Sequence, residues 1–201
     1  MNKQLRQAER YLAGVDPVLA RMITQHGPCT LERDPHPRFH TLVWAIINQQ
    51  LSVKAARSIE GRLLKHFRTP TFHPDHFHRV RETTLRRCGL SGAKIRYIRE
   101  IARRVRQSEL DLDRLDTLND AQVADMLMEL PGIGPWTVEM LLMFSLGRLD
   151  VLPVGDLALR KSMRLHWNMP DDTLHHDYLV LAEAWRPYRT VASWYIWAAV
   201  D

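Results

Sequence analysis

The sequence predicts an all-α fold, and three observations carry that prediction. Phe39, Leu42, Val43, Ile46 and Ile47 fall at i, i+3, i+4, i+7 and i+8, and Ile95, Ile98, Ile101, Ala102 and Val105 repeat the stripe further on. That spacing gathers apolar side chains on one face of a helix. Strand-type alternation is missing, and capping residues and breakers recur at helix-length intervals.

Taken in order, Asp16-Pro17 opens a helix and Gly27-Pro28 closes it, because aspartate accepts the first free amides and proline suits the first turn. Pro37 starts the next helix, Ser52 caps a third, and Ser91 and Asn119 cap two more. About ten helices joined by short loops follow from these signals. One longer irregular stretch is expected, over 69–74. Residues 36–145 are expected to form a helical bundle, and 1–35 with 146–201 a second helical lobe assembled from both ends of the chain.

At 201 residues the chain can bury a full core, as one domain or as two small lobes. A net charge of +5 favours a polyanionic partner, a merely solvated basic surface being the alternative. Cys29 and Cys88 are the only cysteines. They exclude a disulfide framework and a four-cysteine zinc or iron–sulfur cluster within the chain, and a reducing cytosol is the simplest home. No apolar run reaches membrane-spanning length, and the charged first ten residues lack the apolar core of a signal peptide. A soluble, cytoplasmic protein with no membrane partner is expected.

The densest chemistry lies at 130–137, Leu-Pro-Gly-Ile-Gly-Pro-Trp-Thr, flanked by helical pattern on both sides. Helix-forming residues from Asp120 lead into it, and Pro135 suits the first position of the helix that follows. Gly132 and Gly134 can take positive φ and, lacking Cβ atoms, would let a phosphate reach the main-chain amides, with Thr137 adding a hydroxyl. Ile133 would pack inward. An ordinary helical hairpin that needs glycine to turn is the alternative. Downstream, Gly155-Asp156 precedes Leu157-Ala-Leu-Arg160, so Asp156 is read at a helix N-terminus, where free amides favour a carboxylate. A plain N-cap is the competing role.

The hairpin string with an aspartate about twenty residues beyond Trp136 resembles the helix-hairpin-helix DNA glycosylase superfamily. Within it the chain is similar to the alkylpurine branch, the 3-methyladenine DNA glycosylase II type. Ala45-Ile-Ile-Asn-Gln-Gln-Leu-Ser52, Cys88-Gly-Leu-Ser-Gly-Ala-Lys-Ile-Arg96, Trp185-Arg-Pro-Tyr-Arg189 and Trp194-Tyr-Ile-Trp197 extend the likeness from about residue 36 onward. The resemblance implies two helical lobes with a DNA- and base-binding cleft between them. It also implies base excision from double-stranded DNA containing alkylated bases, by a monomer.

The resemblance gives Asp156 the catalytic role, stabilising an oxocarbenium-like sugar or orienting water. Bifunctional relatives carry a lysine nucleophile where this chain has Trp136, so hydrolysis without strand cleavage is implied. Trp136 and Trp197 match aromatic pocket positions suited to a cationic purine, and Met140 stands where another aromatic is common. Trp44, Trp167, Trp185 and Trp194 are read as core. Leu51 or Gln50 would wedge into the vacated stack, an ordinary interhelical loop being the alternative. Lys161 is a phosphate contact only. Main-chain carbonyls of Met128, Leu130 and Ile133 would hold a monovalent cation, Na+ or K+; no other cofactor is implied. His73, His76 and His78 are irregularly spaced and are read as a surface loop rather than a metal site. Two further readings stay open: a non-catalytic helix-hairpin-helix DNA-binding module, and a glycosylase for other damaged bases.

Overall fold

The computed structural model describes residues 3–200 and contains, among them, twelve α-helices and no strand. In chain order these are α1 (Lys3–Val15), α2 (Pro17–His26), α3 (Arg38–Asn48), α4 (Val53–Phe67), α5 (Pro74–Arg79), α6 (Glu82–Arg87), α7 (Gly92–Arg106), α8 (Asp120–Met128), α9 (Pro135–Met140), α10 (Leu157–Trp167), α11 (His175–Leu181) and α12 (Arg189–Ala198). The excess over ten comes from helices of a turn or so. Six residues, the length of α5, α6 and α9, are too few to display a period. The longest irregular stretches among the described residues are 27–37 and 146–156, not 69–74. In the first of these Gly27 takes φ +71 and ends α2, and no stripe resumes before Pro37.

The chain divides into two compact units, 34–141 and 1–33 with 142–201. In the 34–141 unit α7 packs against α3, α5 and α6, and α3 packs against α4. The striped residues of α3 are all buried, as are Ile95, Ile98, Ile101 and Ala102 of α7; Val105 is half-buried. Each fully buried isoleucine, leucine, valine or phenylalanine among them contributes about 1.5–3 kcal/mol when removed from water. Ser52, Ser91 and Asn119 accept the amides of Ala55, Lys94 and Gln122 and so start α4, α7 and α8. His40 is buried in α3. Its Nδ1 accepts the Phe72 amide at 3.1 Å, its ring stacks on Phe72, and Nε2 faces Glu60 Oε1 at 3.3 Å.

His73, His76 and His78 do not form a loop; the last two lie within α5, and His73 caps it, its amide donating to His76 Nδ1 at 3.1 Å. His76 also stacks on Phe67. Among the described residues no cluster of three or more His, Cys, Asp or Glu is arranged to hold a metal.

The unit formed from 1–33 and 142–201 closes around Leu5, Ala8, Leu12, Leu19, Met163, Tyr178, Trp185, Tyr195 and Ile196. Asp16, only 7% exposed, is its polar hub. One oxygen accepts the Val18 and Leu19 amides at 2.8 and 3.2 Å, and the other accepts the indole N–H groups of Trp167 and Trp185 at 3.0 and 2.9 Å. Of the tryptophans read as core, Trp185 is fully buried, while Trp44, Trp167 and Trp194 are half-buried. No helix among the described residues is long and apolar enough to cross a membrane.

Candidate functional site

The hairpin begins where α8 stops. Leu130 donates its amide to Leu127 O at 3.0 Å and Ile133 to Leu130 O at 3.2 Å, a tight turn that leads into α9 through Pro135. The two glycines have different jobs. Gly132 takes φ +80, and a Cβ on it would sit 2.2 Å from Cδ2 of Tyr97, so this glycine is required by backbone and neighbour alike. Gly134 does not use the positive φ open to it. It is extended at φ −112 as the N-cap of α9, and a Cβ there would meet nothing within 4 Å. Its bare face opens onto space next to first-turn amides of α9 that have no side-chain cap, the setting in which main-chain N–H groups can take an anion.

Ile133 is buried, as an inward anchor should be. Thr137 corrects the sequence reading: it is 3% exposed, its β-branched side chain turned into the core, so its hydroxyl is not presented to a phosphate. Trp136 and Met140 are half-buried on α9. A π-helical turn, Leu141–Ser145, continues from α9.

The loop after α3 holds the two wedge candidates at the surface, with Leu51 39% exposed and Gln50 exposed. Leu51 donates its amide to Asn48 O at 3.2 Å, Gln49 has φ −52 and ψ 128, and Gln50 has φ +57. These are the angles of a type II turn, whose third residue prefers glycine. Three partners not anticipated from sequence hold this turn. Lys94 Nζ donates to Ile47 O at 2.9 Å and to Gln49 O at 2.8 Å, and burial among these groups lowers its ammonium pKa. Gln49 Nε2 donates to Gly132 O at 2.7 Å, tying the loop to the hairpin. Tyr97, one turn after Lys94 on α7, is the ring under Gly132.

In the other unit Asp156 is the N-cap of α10, with φ −73 and ψ 123. Its Oδ1 accepts the Leu159 amide at 2.8 Å and the Trp197 indole N–H at 3.2 Å. Asp156 is therefore the cap that its place before a helix predicts, and the cap bond fixes the direction of its carboxylate. Trp197, expected only as a pocket ring, also orients Asp156. Its ring stacks near Phe144, centroids 6.2 Å apart, another aromatic that sequence reasoning passed over. Ser162 Oγ donates to Ile196 O at 2.9 Å and fixes α10 against α12.

The run leading to Asp156 is pinned as well. Thr190 Oγ1 donates to Arg148 O at 2.7 Å and accepts the Val151 amide at 3.0 Å. The Arg189 guanidinium grips the Asp150 carboxylate from 2.7 and 3.1 Å, a forked geometry that lysine would not reproduce. Lys161 is exposed on α10, one turn beyond the cap.

The model of the HhH-GPD superfamily base excision DNA repair proteins matches residues 43–189. DNA-3-methyladenine glycosylase 1 of Schizosaccharomyces pombe is 32% identical over 199 residues, covering 96% of this chain and 86% of its own. The crystal structure of a DNA-3-methyladenine glycosidase from Bacillus halodurans is 37% identical with a TM-score of 0.82, covering 95% of this chain and 87% of that one. The structure of the S. pombe 3-methyladenine DNA glycosylase Mag1 in complex with abasic DNA is 31% identical with a TM-score of 0.85 and covers 95% of each chain.

Proposed function

The chain belongs to the HhH-GPD superfamily of base excision DNA repair proteins, and from that premise we propose that it is a monofunctional DNA glycosylase that releases alkylated purines of the 3-methyladenine and 7-methylguanine type. The observation that carries the reading is Asp156 Oδ1, held by one amide and one indole N–H. These two donors on one oxygen fix the direction in which the carboxylate points.

In the proposed reaction the bond between C1′ and the purine nitrogen breaks, and both its electrons go to the base, neutralising the positive charge that alkylation put there. Asp156 stabilises the cationic sugar, water adds to C1′, and the surplus proton leaves to solvent. The products are a free base and an abasic site. Trp136 stands where a Schiff-base lysine would be needed, so the strand is left intact. The rings of Trp136 and Trp197 are our candidates for stacking on the cationic base, with Met140 beside the first. On the DNA side, the amides at Gly132 and Gly134 take a phosphate, Lys161 supplies a cationic phosphate contact, and Leu51 or Gln50 fills the vacated stack.

We further propose a monovalent cation, Na+ or K+, on the carbonyls of Met128, Leu130 and Ile133. Carbonyl oxygens are the hard donors such an ion takes, and Leu130 O spends only one lone pair on the Ile133 amide. The bound ion would supply positive charge near the phosphate contact. The reading also makes the protein a monomer acting on double-stranded DNA in the cytoplasm, at the nucleoid in a bacterial cell.

Duplexes carrying 3-methyladenine or 7-methylguanine, incubated with the protein and then cleaved at abasic sites with alkali, test the proposal. Alkali-dependent cleavage that falls about hundredfold in Asp156→Asn is expected. Release persisting at the parental rate in that variant overturns it, as does strand cleavage without alkali.

A further inference from the structure

The contacts around the loop after α3 close into a ring. Lys94 Nζ holds the carbonyl oxygen of Gln49, the Gln49 amide holds the carbonyl oxygen of Gly132, Tyr97 packs on the bare Cα of Gly132, and one turn of α7 returns from Tyr97 to Lys94. All four residues lie in the 34–141 unit.

The turn inside this ring has a conformational choice. Types I and II differ by a flip of the central peptide, here Gln49–Gln50, which points the Gln49 carbonyl to one side or the other. Gln50 is left-handed at φ +57 without being glycine, so its own preference opposes the type II form. The Lys94 ammonium bonds the very carbonyl that the flip would move. A charge-assisted hydrogen bond, shared with Ile47 O at the end of α3, thus selects the form that the local sequence disfavours. Gln49 then spans to the hairpin through a side-chain amide, which can donate where a carboxylate could not.

We propose that Gln49, Lys94 and Tyr97 are positioning residues that hold the exposed Gln50–Leu51 tip in one conformation and at one fixed spacing from the phosphate-gripping hairpin, so that wedge entry and backbone grip act on the duplex together. This rests on the DNA reading above but not on its catalytic step. In this arrangement the three side chains govern extrusion of the nucleotide and leave bond cleavage alone.

The test uses the full chain and duplex DNA carrying a tetrahydrofuran abasic analogue next to 2-aminopurine, whose fluorescence rises when the tip unstacks it. With parent protein at saturation a rise is expected; Asp156→Asn should keep it, while Lys94→Met and Gln49→Glu should each lose about half or more, with thermal midpoints near the parent. In single-turnover excision of 7-methylguanine, Lys94→Met should be slowed about tenfold when the lesion is paired with cytosine, and about twofold or less when it lies in an unpaired bulge. Gln50→Asn, added to Lys94→Met, should restore part of the fluorescence, since asparagine tolerates the left-handed conformation better than glutamine. An unchanged fluorescence rise in both Lys94→Met and Gln49→Glu overturns the proposal, as do equal losses on paired and bulged lesions or no rise with the parent protein. A parental rise without any excision would sink the catalytic reading and leave the positioning role standing.

Discussion

Trp197 donates its indole N–H to Asp156 Oδ1 at 3.2 Å, the same oxygen that caps α10 through the Leu159 amide. The carboxylate is therefore aimed from two directions, by the helix it starts and by the helix that ends the unit. Trp197→Phe keeps a ring and deletes only the donor. We expect kcat to fall about tenfold with little change in KM for DNA, because in the proposed reaction the lost bond acts on Asp156 and not on binding. Steady-state excision assays with matched thermal melts check this; a rise in KM alone would show that the ring matters and the N–H does not.

The hairpin glycines should separate cleanly. Gly132→Ala meets both a left-handed backbone and the Tyr97 ring at 2.2 Å, so a loss of about 2 kcal/mol or more in folding stability is expected. Gly134→Ala meets neither, and its stability should stay within about 0.5 kcal/mol of the parent. Its affinity for duplex DNA should nevertheless drop, since the added methyl occupies the open side. Urea melts and filter-binding titrations on the two variants decide it; equal stability losses would contradict the division of labour.

Asp16 offers a test of the other core. Replacing it with alanine removes the cap of α2 and strands two indole N–H groups, one of them fully buried on Trp185. A cost of about 3 kcal/mol follows from the cap and the unmet donors. Asparagine restores one acceptor but turns an N–H₂ toward donors, and should land between parent and alanine. Denaturant midpoints at constant m-value give the ranking.

Acid should loosen the 34–141 unit through His40. Burial, with help from His36 and His73, lowers its pKa to about 4, against the upward pull of Asp34. The unfolded imidazole, with its ordinary pKa near 6.5, then binds more protons than the folded one between those values. Stability is therefore complete above about pH 6.5 and is lost as the pH falls toward 4, by an amount on the order of 3 kcal/mol. Glu60, whose carboxyl burial raises, works in the opposite sense and softens the slope. Thermal midpoints between pH 7 and 4 should fall in the parent and be flatter in His40→Gln; parallel curves would count against the assignment.

The stripes of α3 and α7 and the caps at Asp16, Ser52, Ser91 and Asn119 were readable because each is written within a few neighbouring residues. So was Asp156, through its glycine and the helix after it. The partners that shape the candidate site were not. Gln49 and Gly132 are 83 residues apart and Trp197 and Asp156 are 41 apart, and neither pair has a local signature. Nor does a glycine announce its reason: Gly132 and Gly134 look alike in the chain, and only Tyr97 and the backbone angles tell them apart. Thr137 was misjudged because a hydroxyl beside a turn reads as polar surface, whereas a β-branched side chain in the first turn of α9 packs equally well inward.

The hydroxyl of Tyr195 in α12 reaches the Glu9 carboxylate of α1 at 2.9 Å, across 186 positions of sequence. During synthesis, α1 and α2 leave the ribosome before residues 34–141 yet wait for α12, made after them, before their apolar faces are covered. The newborn polypeptide thus carries uncovered leucines while residues 34–141 are being made, and a chaperone that shields α1 and α2 would speed maturation more than one acting on 34–141.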